Sequence, residues 1–240
     1  MKTAVLFALT FVGSSHAYAQ EFTGATIYAE RLSQTLDGWE GSGEIDTFRG
    51  DLEFRMGAFV VQGGITEYSS EWQTDVSSLE VHFGYKLNDA LTVAVFGVRE
   101  DWEGYFYEGV GAELAYELNR WSGEVWFKHE YADFDSDYGA DVFSTTIEYN
   151  LTDRFSVLGR FVNNQFDGDP SSERFVRLGG SMQVTDGLST DLYFEKMATD
   201  SGWLNEMNNL GFALRYDFGN GVTFGNRSYL DYFHATPMPM

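Results

Sequence analysis

The chain has 240 residues, carries 37 acidic against 15 basic side chains for a formal net charge of −22, and contains no cysteine. That balance excludes a nucleic-acid binder working through counterion release, and the lack of thiols excludes a disulfide framework, a thiolate metal site and a cysteine nucleophile. With 43% hydrophobic residues, 17% aromatics and 26 glycines, the composition suits many strands and tight turns rather than a disordered acidic chain.

Residues 1–19 have the form of a secretory leader. Lys2 supplies the charge, Ala4 to Val12 the apolar stretch, and Ala17-Tyr18-Ala19 a small-x-small cleavage site. The expectation is a mature chain that begins near Gln20, with residues 20–240 forming one domain. The apolar stretch falls well short of the roughly 20 residues that a spanning helix needs, and no later stretch reaches that length. An exported chain of this kind crosses a membrane only as a closed barrel.

From there on the sequence alternates with period 2, the signature of half-buried strands. Phe48, Leu52, Phe54 and Met56 alternate with Arg49, Asp51, Glu53 and Arg55; Leu79, Val81, Phe83 and Tyr85 alternate with Glu80, His82 and Lys86. Thirteen candidate strands follow: 23–31, 45–56, 58–68, 77–87, 91–101, 108–118, 121–131, 142–151, 155–162, 174–184, 188–196, 208–218 and 222–233. The first alternates poorly, and the last puts Asn226 and Ser228 on its apolar parity. Single-chain bacterial barrels have an even number of strands. The expectation is therefore twelve, supplied by the hairpins between residues 45 and 233.

Short turns such as Asn88-Asp89-Ala90, Thr185-Asp186-Gly187 and Gly219-Asn220-Gly221 join these strands at one end. Longer polar segments join them at the other: 33–44, 69–75, 132–140, 163–172 and 198–207. This asymmetry is that of an outer-membrane barrel. Just before the short turns stand Tyr85-Lys86-Leu87, Tyr116-Glu117-Leu118, Tyr149-Asn150-Leu151 and Tyr216-Asp217-Phe218. Parity puts each tyrosine on the apolar face, where a ring with a polar tip suits a boundary between hydrocarbon and water. Tyr68, Trp72, Trp102, Tyr105, Tyr107, Tyr131 and Trp203 make a candidate second belt at the far ends. A soluble barrel with an apolar core would have no need for tyrosine at one fixed height. The fold expected is all-β: an antiparallel, up-and-down transmembrane barrel, with Val81, Leu114, Ile147 and Leu214 facing lipid.

On these motifs, over residues 22–233, the chain resembles the porin-like outer-membrane β-barrels of Gram-negative bacteria. The resemblance implies residence in the outer membrane, contact with lipid and lipopolysaccharide, and passive diffusion of small hydrophilic solutes through a water-filled lumen. Such barrels end on an aromatic residue, whereas here Tyr232-Phe233 is followed by residues 234–240, HATPMPM.

The polar parity carries the candidate functional residues. Its acids are Glu80, Glu113, Glu117, Glu124, Glu148, Asp191 and Glu195; its bases are Lys128, Arg160, Arg177, Arg215 and Arg227, with His82 among them. Two arrangements remain open: a charged aqueous lumen, or opposite charges paired across the strands that fill a non-conducting structural or surface-interaction barrel. The order of the strands also allows a basic wall (Arg160, Arg177, Arg227) to face an acidic one (Glu113, Glu117, Glu148). An enzyme is the weaker reading, because Ser78 and His82 are four residues apart on one strand, too far for a hydrogen bond at about 3.3 Å per residue, and no hydrolase motif surrounds either. Asp133, Asp135 and Asp137 place hard oxygens in a loop, but Tyr138 takes the glycine position of a calcium loop and Ser144 that of the bidentate Glu. No organic cofactor and no nucleic-acid partner is implied, and no oligomeric state follows from the pattern.

Overall fold

The computed structural model describes residues 21–36, 42–70, 75–102, 105–132, 139–167, 172–199 and 207–225. The leader, the segment with Asp133, Asp135 and Asp137, and Arg227 lie outside the described residues, as do Trp72 and Trp203.

Twelve strands form one closed antiparallel ring. They are β1 (Glu21–Leu36), β2 (Ser42–Met56), β3 (Phe59–Ser70), β4 (Val76–Asn88), β5 (Leu91–Trp102), β6 (Tyr105–Leu118), β7 (Trp121–Ala132), β8 (Gly139–Asn150), β9 (Phe155–Phe166), β10 (Ser172–Thr185), β11 (Leu188–Thr199) and β12 (Met207–Gly219). Each pairs with its neighbours in sequence, and β1 closes the ring on β12, from Gly24 opposite Gly219 to Leu36 opposite Met207. No sheet edge is left to template another chain.

The number of strands is the one expected, but the set of strands differs. The N-terminal candidate belongs to the ring, and the candidate at 222–233 does not start as a ladder strand, since β12 ends at Gly219 and Val222–Gly225 run inside the barrel. The poor apolar alternation of β1 has a local cause. Arg31 faces outward near the long-loop end and pairs with Asp46 at 2.7 Å and Glu44 at 3.3 Å on β2. The strands also extend into the polar segments read as loops, as β9 does to Phe166 and β2 back to Ser42.

Parity holds around the ring. Val81, Ile147 and Leu214 are exposed on the outer face with Phe48, Val95, Leu178 and Leu192, and half-exposed Leu114 shares that face. An outer wall so apolar in every strand would be unfavourable in water at about 25 cal/mol per Å²; it suits hydrocarbon. The hairpins turn tightly, with Gly57, Asn119 and Gly187 at positive φ.

Candidate functional site

The inward face has two zones. Toward the long-loop end, large apolar side chains pack together, among them Leu32, Ile45, Tyr68, Trp102, Tyr107, Phe175, Met197 and Met207. This corrects part of the second aromatic belt: Tyr68, Trp102 and Tyr107 turn into the barrel, while Tyr105 and Tyr131 are exposed. Each of the three inward ones shares the parity of a buried polar residue on its own strand, Gln62, Glu100 and Glu113 respectively, so alternation marks the inward face, whereas height near a strand end does not distinguish a belt from a packed interior. Toward the short turns the inward side chains become polar, with short hydroxyls between long charged groups, and two cavities open there. One, of about 310 Å³, is lined by Thr26, Glu148, Ser156, Arg160, Arg177, Ser181, Asp191 and Arg215. The other, of about 590 Å³, is lined by Arg55, Lys86, Glu117, Ser122, Glu148 and Arg215.

Between the zones lies a belt of ion pairs. Arg49 on β2 pairs with Asp51 at 2.7 Å and reaches Glu80 on β4 at 3.8 Å. His82 Nε2 lies 3.2 Å from Glu80, and its Nδ1 lies 2.5 Å from Glu113 on β6. Lys128 is 3.1 Å from Glu100 and also pairs with Glu130. Arg177 is 2.9 Å from Glu195 and 3.1 Å from Glu30, with its guanidinium 3.7 Å from the centre of the Tyr193 ring. Such buried charges persist only when paired, because each leaves water at a cost of several kcal/mol.

The sequence-derived residues fall into this arrangement as follows. Glu80, His82, Glu113, Glu124, Lys128, Arg160, Arg177 and Glu195 are buried inside the barrel. Glu148, Asp191 and Arg215 are half-buried and line the smaller cavity, and Glu117 is exposed at the mouth of the larger one. Arg160 and Arg177 stand directly opposite each other on β9 and β10. Among the described residues carboxylates sit beside the expected basic wall, as Glu195 and Glu30 do beside Arg177, and its third member, Arg227, lies outside them. His82 meets two carboxylates, and the hydroxyl of Ser78 makes no hydrogen bond. The four tyrosines before the short turns lie on the outer face: Tyr85 against Phe59 at 5.2 Å, Tyr149 against Trp121 at 4.5 Å, Tyr216 against Phe218 at 4.6 Å, and Tyr116 beside Gly123.

The candidate list omitted Glu30, Asp51, Glu53, Gln62, Glu100 and Glu130, all buried inside. Their parity was the available signal, since Arg49, Asp51, Glu53 and Arg55 stood on one polar face from the start. Phe224 had no such signal, because its strand assignment was wrong. Among the described residues no group of three or more His, Asp or Glu is arranged to hold a metal ion.

No protein-family model matches the chain, and no curated protein matches it at a significant level. Solved structures do match by shape. The NanC porin aligns with a TM-score of 0.59 at 11% identity over 79% of this chain and 98% of its own. An outer membrane channel from Pseudomonas putida F1 aligns with a TM-score of 0.58 at 14% identity over 87% and 100%. The KdgM porin, solved in complex with disordered oligogalacturonate, aligns with a TM-score of 0.56 at 9% identity over 80% and 99%. At these identities the likeness is one of fold: the chain has the closed antiparallel barrel of outer-membrane porins and channels.

Proposed function

We propose that this protein is an outer-membrane porin that passes small hydrophilic solutes or ions by passive diffusion, after export and removal of residues 1–19. The observation that carries this reading is the interior itself: a charged, cavity-bearing lumen inside an apolar outer wall. A barrel of about twelve strands lies between the side-chain-filled small barrels and the open channels of large ones, and here half of the interior shows each character. Among the described residues ten buried acids (Glu30, Asp51, Glu53, Glu80, Glu100, Glu113, Glu124, Glu130, Glu173, Glu195) stand against four buried bases (Arg49, Lys128, Arg160, Arg177). That excess raises the local concentration of cations, so the selectivity proposed is a modest preference for cations. The tyrosines before the short turns would then sit at the inner boundary of the membrane, with lipid and lipopolysaccharide against the outer wall. The His82 cluster is read as part of the lumen charge network, not as a catalytic centre.

One observation favours a second reading, a non-conducting structural or surface-interaction barrel: the apolar cluster that fills the interior near the long-loop end. Planar-bilayer recording of the refolded, leader-free protein separates the two. Stepwise currents support the porin; a folded, heat-modifiable but silent barrel overturns it in favour of the second.

A further inference from the structure

Beyond β12 the chain returns into its own barrel. Gly219 and Gly221, at φ 65° and 69°, take a backbone shape that other residues rarely adopt, and the Asn220 N–H donates to Thr23 O at 3.1 Å. The reversal passes so close to β1 that a Cβ at Gly24 would overlap the backbone of Gly221. Val222–Gly225 then lie within the ring, and Phe224 is 0% exposed.

The lumen receives this segment as it would a strand. The side-chain amide of Gln62 takes both backbone groups of one residue: Phe224 N–H donates to Gln62 Oε1 at 3.0 Å, and Gln62 Nε2 donates to Phe224 O. The Thr223 N–H donates to Glu53 Oε2 at 2.7 Å, and Arg55 Nη2 donates to Thr223 Oγ1 at 3.1 Å. The Phe224 ring stacks on His82, with centroids 5.7 Å apart and planes 8° apart, and His82 stacks in turn on Phe96 at 5.5 Å. Two residues along β4 from His82 the same wall leaves room for the ring, since a Cβ at Gly84 would come within 3.3 Å of it. A primary amide that pairs with one residue's N–H and C=O reads peptide backbone, and the ring stack adds a preference for an aromatic side chain.

The segment also lies where the cavities meet. Val222 and Thr223 line the larger cavity and Gly225 the smaller, while Thr146, Glu148 and Arg215 line both. We propose that Gln62, Glu53, Arg55 and His82 form a binding site for an extended peptide bearing an aromatic residue, that Val222–Gly225 occupy this site in cis, and that this occupancy restricts passage through the lumen. The restriction rests on the porin reading. The segment is held by hydrogen bonds and one ring stack with no ladder pairing, so its release disrupts no strand of the ring.

The native chain has no cysteine, which makes a labelling test direct. In the refolded full-length barrel, Val222→Cys, at a buried position of the segment that keeps the Thr223 and Phe224 contacts, is expected to react with a bulky maleimide about tenfold more slowly than Asn220→Cys, as burial slows thiol modification. Equal rates overturn the cis-bound segment. Full-length Gln62→Ala and Phe224→Ala, each checked for heat-modifiable folding, are then recorded in bilayers. The expected result is a rise in single-channel conductance of about twofold or more over wild type, as a constriction is relieved. Slow labelling with wild-type conductance in both variants overturns the restriction and leaves the porin reading standing. Slow labelling with wild type and both variants silent overturns the porin reading, and the restriction with it, while the bound segment stands.

Discussion

The long-loop and short-turn halves of the lumen are built on the same twelve strands and the same parity, yet from different side chains. At the long-loop end Leu32, Ile45, Phe175, Met197 and Met207 fill the space, bordered by the belt of ion pairs in which Lys128 meets Glu100 and Glu130. At the short-turn end Thr26, Ser156, Ser181 and Ser189 leave it to the cavities. The contrast shows that in a barrel of this width the polarity and size of the inward side chains at each height decide whether a level is packed core or accessible vestibule. Strand number and parity set only which side chains compete for that space.

Substitutions test this division. The largest effects belong to the packed half and the ion-pair belt that borders it. Lys128→Ala removes the cation between buried Glu100 and Glu130 and is expected to cost about 3–5 kcal/mol in equilibrium unfolding; a loss below 1 kcal/mol would mean that the belt is wet. Phe175→Ala, at 1% exposure, is expected to cost a similar amount, about 3–5 kcal/mol, through the cavity it leaves. Next comes the outer wall. Leu178→Arg, on the lipid-facing parity in the middle of β10, is expected to cost about 2–4 kcal/mol in lipid refolding titrations, and unchanged stability would contradict the membrane placement of that face.

The vestibule is expected to respond weakly in stability and clearly in transport. Ser189→Ala should stay within about 0.5 kcal/mol of wild type; a loss like that of Phe175→Ala would erase the distinction between the halves. The smallest effect concerns ions. Reversal potentials across a salt gradient should show a cation preference that weakens as salt rises, because screening shortens to about 8 Å at physiological strength, and Asp191→Asn with Glu148→Gln should reduce it. A clear anion preference would instead assign control to the facing Arg160 and Arg177 and point to acidic solutes.

The structure also changes what substitution at Glu113 means. On parity alone an arginine there is expected to be tolerated and to alter only conduction. With Glu113 buried 2.5 Å from His82 Nδ1, that arginine would replace the carboxylate partner of the ring by a positive group and leave Arg49, Asp51 and Glu80 to rearrange. Damage to folding is therefore the expected outcome at both Leu114 and Glu113, for opposite reasons: one charge enters lipid, the other enters a buried network of ion pairs.

What the sequence determined by itself is local in the chain. Alternation at period 2 assigned the two faces of β2 to β12, because each side chain's face follows from its parity and one face had to be apolar. Turn residues marked the short-turn ends of the strands within a residue or two. What only the tertiary structure decided depends on closure. Arg177 meets Glu30, 147 positions away, and Phe224 meets Gln62, 162 positions away, because ring closure brings β1 round beside β12 and near β10, and the chain beyond β12 enters the lumen next to β2 and β3. The place of β1 was hidden because Arg31 is stabilised by partners on β2 rather than by apolar alternation. The fate of Val222–Gly225 was hidden because a short alternating segment can continue a sheet or enter a lumen. Backbone groups must find partners in either case, and it was the side chains of Gln62 and Glu53, from distant strands, that supplied them.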